Sequence, residues 1–235
     1  MPPAAEFTRI LLVSLALVVS GCASRTAAPP PPEQGHPPKG HHHGGPAAHR
    51  FEDAEQWAAR FEDPERDAWQ KPDVVISAMD IPPGSRVADI GAATGYFPVR
   101  IARAHPDVKV YGVDIEPDMV RYLDERARRE GLTHIHAVLG EPGDAKLPEP
   151  VDRILLVDTY HHIEERPAYF RALAGSLRAG GRVIVVDFKV DSPLGPRKEH
   201  KLAPEQVIEE LAAAGYRKVG ERELPHQYVL IFERV

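Results

Sequence analysis

Downstream of Ser85, short apolar runs alternate with segments in which apolar side chains recur every three or four residues. The short runs predict strands, whereas the spaced segments predict amphipathic helices. The first five predicted strands are residues 86–90, 109–113, 134–139, 153–157 and 182–188. Strands that alternate with helices are typical of a parallel, doubly wound sheet with helices on both faces.

The predicted connecting helices begin and end at recognisable residues. One begins at Pro117 and ends before Gly131, a second ends before Gly180 and Gly181, and a third ends before Gly215. Proline is favoured in the first turn of a helix and glycine just past the last turn, so these helices have clear limits. Their apolar faces comprise Met119, Val120, Leu123 and Ala127; Tyr169, Phe170, Leu173 and Leu177; and Val207, Ile208, Leu211 and Ala214.

Two further strands are predicted after the last helix, at residues 217–224 and 227–233. Only Pro225 and His226 separate them, and because so short a link cannot carry a crossover, the pair must form an antiparallel hairpin. The predicted fold is therefore α/β, a doubly wound, seven-stranded, mostly parallel sheet that ends in an antiparallel hairpin. Ahead of the sheet, one helix is predicted to end before Pro64 and a shorter one to cover residues 73–79. The apolar face of the first comprises Phe51, Ala54, Ala58 and Phe61.

The amino-terminal fifty residues differ in composition from the rest of the chain. Residues 10–19 form an apolar run about half as long as the roughly 20 residues that a membrane-spanning helix needs. Small residues then lead to Cys22, and the stretch resembles a bacterial lipoprotein signal. That resemblance implies cleavage before Cys22 and lipidation of its thiol. The alternative is a frayed or mis-assigned amino terminus, since Arg9 is the one basic side chain ahead of the run.

Residues 22–50 are rich in proline, glycine and histidine and lack apolar periodicity. They predict a disordered tether between a signal at residues 1–21 and a globular domain at residues 51–235. The histidines of this tether are candidate ligands for Zn²⁺, Ni²⁺ or Cu²⁺. A polar spacer is the favoured interpretation, because no carboxylate or cysteine completes a defined ligand shell. The histidines are His36, His41, His42, His43 and His49.

Charge and cysteine content exclude several classes of protein. A net charge of −6 and an isoelectric point near 6.1 give no general attraction to nucleic acid. A single cysteine excludes an intramolecular disulfide bond and a zinc site built from several cysteines. An apolar content of 43% is enough for one sizeable core, so one domain is expected.

The stretch VADIGAATGYF at residues 87–97 predicts a buried strand, a turn of small residues and then a helix. A ligand approaches the backbone where side chains are small, and the start of a helix offers free N–H groups. The dinucleotide-binding fingerprint would place glycine at Ala93 and Tyr96. A nicotinamide cofactor is therefore disfavoured.

In the register D-x-G-x-x-T-G, this stretch resembles motif I of the class I S-adenosylmethionine-dependent methyltransferases, which have a Rossmann-like fold. The resemblance implies that Gly91 and Gly95 give room to the methionine part of the cofactor. It also implies that Asp89 orients the loop or binds the amino group of the cofactor. Ala93 stands where the usual form of the motif has its middle glycine.

Two later strand ends extend the resemblance. Asp114 ends the next strand and fills the ribose-binding position of the family, where a carboxylate accepts both hydroxyls. Asp144 resembles the acidic residue that meets the adenine amino group, and Glu141 is a rival for that role. The resemblance covers residues 66–235, including Arg66–Gln70 and residues 224–228.

The loop after the fourth strand, VDTYHHI at residues 157–163, holds the candidate catalytic groups. His161 is the candidate general base, because imidazole titrates near neutrality, and Asp158 would orient it or contact the substrate. The alternative is structural, with one histidine of the pair capping a helix and the other packing under the loop. A metal site from Asp158, His161, His162 and Asp187 is disfavoured because adjacent histidines point in different directions, so no metal is expected. Asp187 would line the cleft, act as a capping residue, or form an ion pair with Lys189.

The resemblance predicts an enzyme that transfers a methyl group from S-adenosylmethionine to a small molecule, and lipidation of Cys22 suggests a lipid-like acceptor. The alternative is a membrane-tethered, non-catalytic module that uses the same cleft for a nucleoside-like ligand. The signal would place the domain on the periplasmic side of a membrane, although S-adenosylmethionine is made in the cytosol. An unprocessed signal would leave it in the cytoplasm. Trp69 and Tyr228 are candidates for an aromatic cover over the acceptor, although large aromatics more often fill a core.

Overall fold

A computed structural model describes residues 53–235. Phe51, Cys22 and the segments 1–21 and 22–50 lie outside the described residues. Within residues 53–235, no helix has both the length and the apolar character needed to cross a membrane. The strands are β1 Arg86–Ile90, β2 Lys109–Asp114, β3 Ile135–Leu139, β4 Val151–Val157, β5 Leu177–Phe188, β6 Tyr216–Glu223 and β7 Gln227–Arg234. The helices are α1 Ala54–Phe61, α2 Arg66–Gln70, α3 Pro72–Met79, α4 Tyr96–Ala104, α5 Pro117–Arg129, α6 Arg166–Leu173 and α7 Pro204–Ala213.

The strands form one sheet in the order β3-β2-β1-β4-β5-β7-β6. Strands β1 to β5 run parallel to one another, and β7 is antiparallel to both β5 and β6. The predicted sheet with its terminal hairpin is therefore confirmed. Because the chain leaves β1 and β4 toward opposite halves of the sheet, a crevice opens at the carboxyl ends of these two strands, where α/β sheets bind ligands.

Strand β5 begins earlier than the sequence pattern predicts. Leu177 pairs with Val151 of β4, and regular pairing resumes only at Arg182. We expected Leu177 on a helix, but α6 ends at Leu173 and a short 3₁₀ turn leads into the strand. Gly180, with φ +74°, therefore lies in an irregular part of β5 and does not end a helix.

Close packing of α5 against the sheet depends on two glycines. Leu123 of α5 is almost fully buried. A Cβ atom added at Gly95 or at Gly112 would overlap its terminal methyl groups. Burial of one leucine side chain is worth about 2 kcal/mol. The glycines thus fix how closely α5 approaches the loop that follows β1.

Candidate active site

The loop between β1 and α4 takes a backbone conformation that few residues adopt. Gly91, Ala93 and Gly95 have φ of +81°, +46° and +95°. Ala93 is strained there because it has a Cβ atom, and its N–H donates a 2.8 Å hydrogen bond to Asp114 Oδ2. This bond ties the loop after β1 to the end of β2.

The side-chain positions of both motif glycines are filled by the protein itself. A Cβ on Gly91 would overlap the side chain of Thr159, which follows β4, and one on Gly95 would overlap Leu123. These contacts explain why each position needs glycine without reference to a ligand. The predicted role of Gly91 and Gly95 in making room for methionine stays a prediction.

Asp114 lies at the carboxyl end of β2 with both carboxylate oxygens engaged. Oδ2 accepts from Ala93 N at 2.8 Å and Oδ1 from Glu116 N at 3.0 Å. Burial raises the pKa of Asp114, and the backbone hydrogen bonds only partly oppose that rise. Each oxygen keeps a further lone pair, so the carboxylate is suited to accept two hydroxyls of a ribose.

Two apolar side chains beside Asp114 are exposed, and the sequence reasoning missed both. Leu139, at the end of β3, is the register partner of Asp114 and is 51% exposed, and Ile115 is 49% exposed. Large apolar residues at the carboxyl ends of strands are the signal that would have found them. Their faces offer an apolar surface that suits a flat aromatic ring such as adenine.

Asp144 and Glu141, the two candidates for the adenine amino group, lie on one tight turn. Backbone hydrogen bonds of 2.8 and 3.0 Å join residues 141 and 144 in both directions. Lys146 Nζ lies 3.1 Å from Asp144 Oδ2 and 3.3 Å from Glu141 Oε2. Hydrogen bonds from the backbone and side chain of Lys146 hold the pKa of Asp144 below its ordinary value. Both carboxylates are exposed and both pair with Lys146, so the geometry does not favour either one as the partner of the adenine amino group.

His161 is oriented by Asp187 and not by Asp158. Its Nδ1 lies 2.9 and 3.0 Å from the two carboxylate oxygens of Asp187, at the end of β5. Both side chains are almost fully buried. Burial lowers the pKa of His161, but the hydrogen bond and charge of Asp187 outweigh it, so the pKa lies above its ordinary value. Of the alternatives for Asp187, the ion pair with Lys189 does not form, since Lys189 pairs with Glu223 instead.

Asp158 belongs to a separate polar cluster that joins distant parts of the chain. Gln227 of β7 donates through Nε2 to Asp158 Oδ1, and Gln70 of α2 donates to Gln227 Oε1. Gln70 in turn accepts from Arg66 Nε at 3.1 Å, and Arg66 Nη2 lies 4.0 Å from Asp158 Oδ2. Burial raises the pKa of Asp158 to about 7, although Arg66 opposes the rise. These side chains form a closed ring at the carboxyl edge of the sheet.

Arg66 also reaches the motif loop. Its guanidinium lies 3.9 Å from the centroid of the Tyr96 ring, at the start of α4. Its charge also acts on Asp89. Burial raises the pKa of the Asp89 carboxyl to about 7, the positive charge of Arg66 opposes this rise, and the negative charge of Asp114 adds to it. Asp89, Asp158 and Arg66 are therefore electrostatically coupled.

Helix α1 is braced against the same loop. Glu62, directly after α1, accepts a 2.9 Å hydrogen bond from Thr94 Oγ1 and a 2.6 Å bond from Arg126 Nη1. Arg126 also donates to the carbonyl of Thr94 at 3.0 Å. The amide of Ala54 binds Asp118 Oδ2 at 2.7 Å. These bonds hold the amino-terminal helix over α5 and the residues that follow β1.

The two aromatic candidates lie in different surroundings. Tyr228 is buried, and its hydroxyl donates to the carbonyl of Leu202 at 3.1 Å, so it fills the core. Trp69 is partly exposed and packs 5.8 Å from the Phe188 ring, centroid to centroid. Among the described residues, no three histidine, cysteine or acidic side chains are grouped as a metal site.

The known proteins that this chain resembles in sequence are methyltransferases. The sequence profile of the family described as "Methyltransferase domain" matches residues 81–222. Phosphoethanolamine N-methyltransferase 1 of Triticum aestivum is 27% identical over 169 residues, which are 68% of this chain and 34% of that protein. The 27-O-demethylrifamycin SV methyltransferase of Amycolatopsis mediterranei is 33% identical over 128 residues, 52% of this chain and 46% of that protein. The chain thus spans about a third to a half of the length of these relatives.

A solved structure extends the likeness to the fold. The crystal structure of a SAM-dependent methyltransferase from Aquifex aeolicus superposes with a TM-score of 0.71 at 23% identity. The superposition covers 78% of this chain and 99% of that one. At this identity the likeness concerns the fold, including the sheet order and the terminal hairpin.

Proposed function

The chain belongs to the methyltransferase-domain family of S-adenosylmethionine-dependent enzymes, and on that premise we propose that it methylates a small-molecule acceptor. The observation that carries the proposal is the buried pair of His161 and Asp187 beside the loop that bears the cofactor motif. A nucleotide-binding scaffold without catalysis has no need for an oriented imidazole at this edge.

The residues around β1, β2 and β3 suit the cofactor. Asp114 would accept from the ribose hydroxyls, and the exposed faces of Ile115 and Leu139 would contact the adenine ring. The loop at residues 91–95 would lie along the methionine part. When bound, S-adenosylmethionine supplies a methyl group on a positively charged sulfur.

The proposed role of His161 follows from its hydrogen bonds. A carboxylate can only accept, so Asp187 fixes the proton of neutral His161 on Nδ1 and leaves the lone pair on Nε2. The acceptor heteroatom would form a bond to the methyl carbon as the carbon–sulfur bond breaks and its electron pair stays on sulfur, and His161 Nε2 would take the proton that the heteroatom loses. Asp187 would stabilise the resulting imidazolium, as the carboxylate of a hydrolytic triad does.

The class of acceptor is part of the proposal. The names of the two relatives indicate an amine nitrogen in one protein and an oxygen in the other. Both kinds of acceptor carry a proton that must leave, which suits a histidine base. We propose a small amine or hydroxyl compound, and the apolar run before Cys22 supports membrane attachment and a lipid-like acceptor. The domain would then lie on the periplasmic side of the membrane.

Methyl transfer from radiolabelled S-adenosylmethionine tests the function. The full chain would be incubated with phosphoethanolamine and a panel of small amines and phenols. We expect His161→Ala to lower turnover about 100-fold or more, while calorimetry shows S-adenosylhomocysteine affinity within twofold of wild type. The matched control is His162→Ala, which removes the exposed neighbour and should keep most activity.

The possible outcomes separate the alternatives. If wild type does not bind S-adenosylhomocysteine, the proposed function is wrong. If it binds but transfers no methyl group to any acceptor of the panel, the non-catalytic module is the better interpretation. If His161→Ala turns over like wild type, the enzyme stands and the role of His161 is wrong.

A further inference from the structure

Arg66 approaches the motif loop from outside residues 81–222, the part of the chain that the family profile matches. It lies on α2, whereas the match begins at residue 81. Its side chain is only 16% exposed, and its guanidinium packs on Tyr96 at the start of α4. Among the described residues, Ser85 Oγ is the one buried side-chain nitrogen or oxygen without a hydrogen-bond partner, so an Arg66 nitrogen without a protein acceptor is open to water or a ligand.

The hydrogen bonds of Arg66 leave one nitrogen, Nη2, with an ion-pair contact to Asp158 but without a hydrogen-bond partner. Nε donates to Gln70 Oε1 at 3.1 Å, and Nη1 donates to the carbonyl of Phe61 at 3.0 Å. Nη2 has its closest carboxylate oxygen, on Asp158, at 4.0 Å, which is too long for a hydrogen bond. Within residues 53–235, no group accepts a hydrogen bond from Nη2.

The charges around Arg66 restrict the ligand that would meet Nη2. The buried carboxyls of Asp89 and Asp158 both interact with this single guanidinium. A simple anion would add negative charge to a region that already holds two carboxyls, and a simple cation would leave Nη2 unpaired. An α-amino acid group brings both charges, with a carboxylate for Nη2 and an ammonium for the carboxyls.

We propose that Arg66 binds the α-carboxylate of the methionine part of the cofactor, next to an α-ammonium bound by Asp89. This inference rests on the proposed function, because it concerns the same cofactor. It assigns a binding role to α2, which lies outside the family match. It also explains why Gln70 and the Phe61 carbonyl hold Arg66 by two of its nitrogens and leave the third for a ligand.

Two ligands that differ in the amino acid group test the assignment by calorimetry on the full chain. S-adenosylhomocysteine carries that group, whereas 5′-methylthioadenosine has the same nucleoside and thioether without it. We expect Arg66→Gln to weaken S-adenosylhomocysteine binding at least about thirtyfold, and to change 5′-methylthioadenosine binding less than twofold. Arg66→Lys, which keeps the charge but not the forked donors, should cause a smaller loss on the first ligand only.

Arg100 provides the matched control. Its guanidinium also packs on Tyr96, at 3.7 Å from the ring centroid, but it pairs with Asp67. Arg100→Gln should leave the affinity for both ligands within twofold of wild type.

Each outcome of the titrations has one meaning. Equal losses for both ligands in Arg66→Gln would show that Arg66 supports the fold and does not read the carboxylate. Unchanged affinity for S-adenosylhomocysteine would likewise overturn the inference. If wild type binds neither ligand, the proposed function itself fails.

Discussion

Replacement of Asp89 by asparagine should stabilise the ligand-free protein, and increasingly so as the pH rises. Asp89 lies in β1 and is almost fully buried, and burial raises the pKa of its carboxyl from the ordinary 3.8 to about 7. The folded protein therefore resists ionisation of this group, whereas the unfolded chain does not. Asparagine has nearly the same shape and no charge to bury, so it removes this penalty.

The size of the effect follows from the two pKa values. Between them, each pH unit makes the folded wild type less stable by about 1.4 kcal/mol, because the unfolded chain has ionised and the folded one has not. From pH 5 to pH 7 the wild type therefore loses about 2 kcal/mol through Asp89, and above its folded pKa the loss levels off at about 3 kcal/mol. Asp158 titrates over the same range in both proteins, and because Asp89 and Asp158 are coupled only through Arg66, most of its contribution cancels from the comparison.

Urea unfolding at pH 5, 7 and 9, followed by circular dichroism, measures this difference. The free energy of unfolding of Asp89→Asn minus that of wild type should rise by about 3 kcal/mol between pH 5 and pH 9. Asp73→Asn, at an exposed position in the first turn of α3, is the control for replacing an aspartate at the surface. A difference for Asp89→Asn that stays the same from pH 5 to pH 9 would show that this carboxyl ionises normally in the folded protein, and would refute the reasoning.

Two further predictions concern packing and the amino terminus. Gly112→Ala should destabilise the fold by about 1–3 kcal/mol, because the added methyl group overlaps Leu123. Leu123→Ala in the same chain should recover part of that loss. Urea unfolding of Gly112→Ala, of the double variant and of Leu123→Ala alone measures both effects. Expressed in a bacterium with lipoprotein processing, the wild-type chain should enter the detergent phase of a Triton X-114 extraction, whereas Cys22→Ser should stay in the aqueous phase. Equal partition of the two would contradict lipidation of Cys22.

Periodicity and turn residues predict the fold well because they are local signals. The predicted start of β1 at Arg86 and its end at Ile90 agree with the structure, as do the start of α5 at Pro117 and its end before Gly131. The error at Leu177 has a physical cause. Its apolar spacing fits the face of α6, but its pairing with Val151 takes it into the sheet. Only the tertiary contact distinguishes the two positions.

The site was predictable only in part. Asp114 follows from its position at a strand end, because that position alone brings it to the carboxyl edge of the sheet. The partner of His161 does not, because several carboxylates end neighbouring strands and only packing selects Asp187 over Asp158. The role of Gln227 is hidden in the same way, since a glutamine at the start of a hairpin strand carries no signal of its contacts.

The ring around Asp158 has a consequence for how the protein is made. Arg66 and Gln70 come from the beginning of the described chain, whereas Gln227 belongs to β7, which is synthesised after the other six strands of the sheet and inserts between β5 and β6. A nascent chain with its first five strands already paired would carry the motif loop after β1 and Asp114, yet Asp158 would lack its glutamine partner. The complete site can therefore exist only after the ribosome has passed Gln227 and the hairpin has closed.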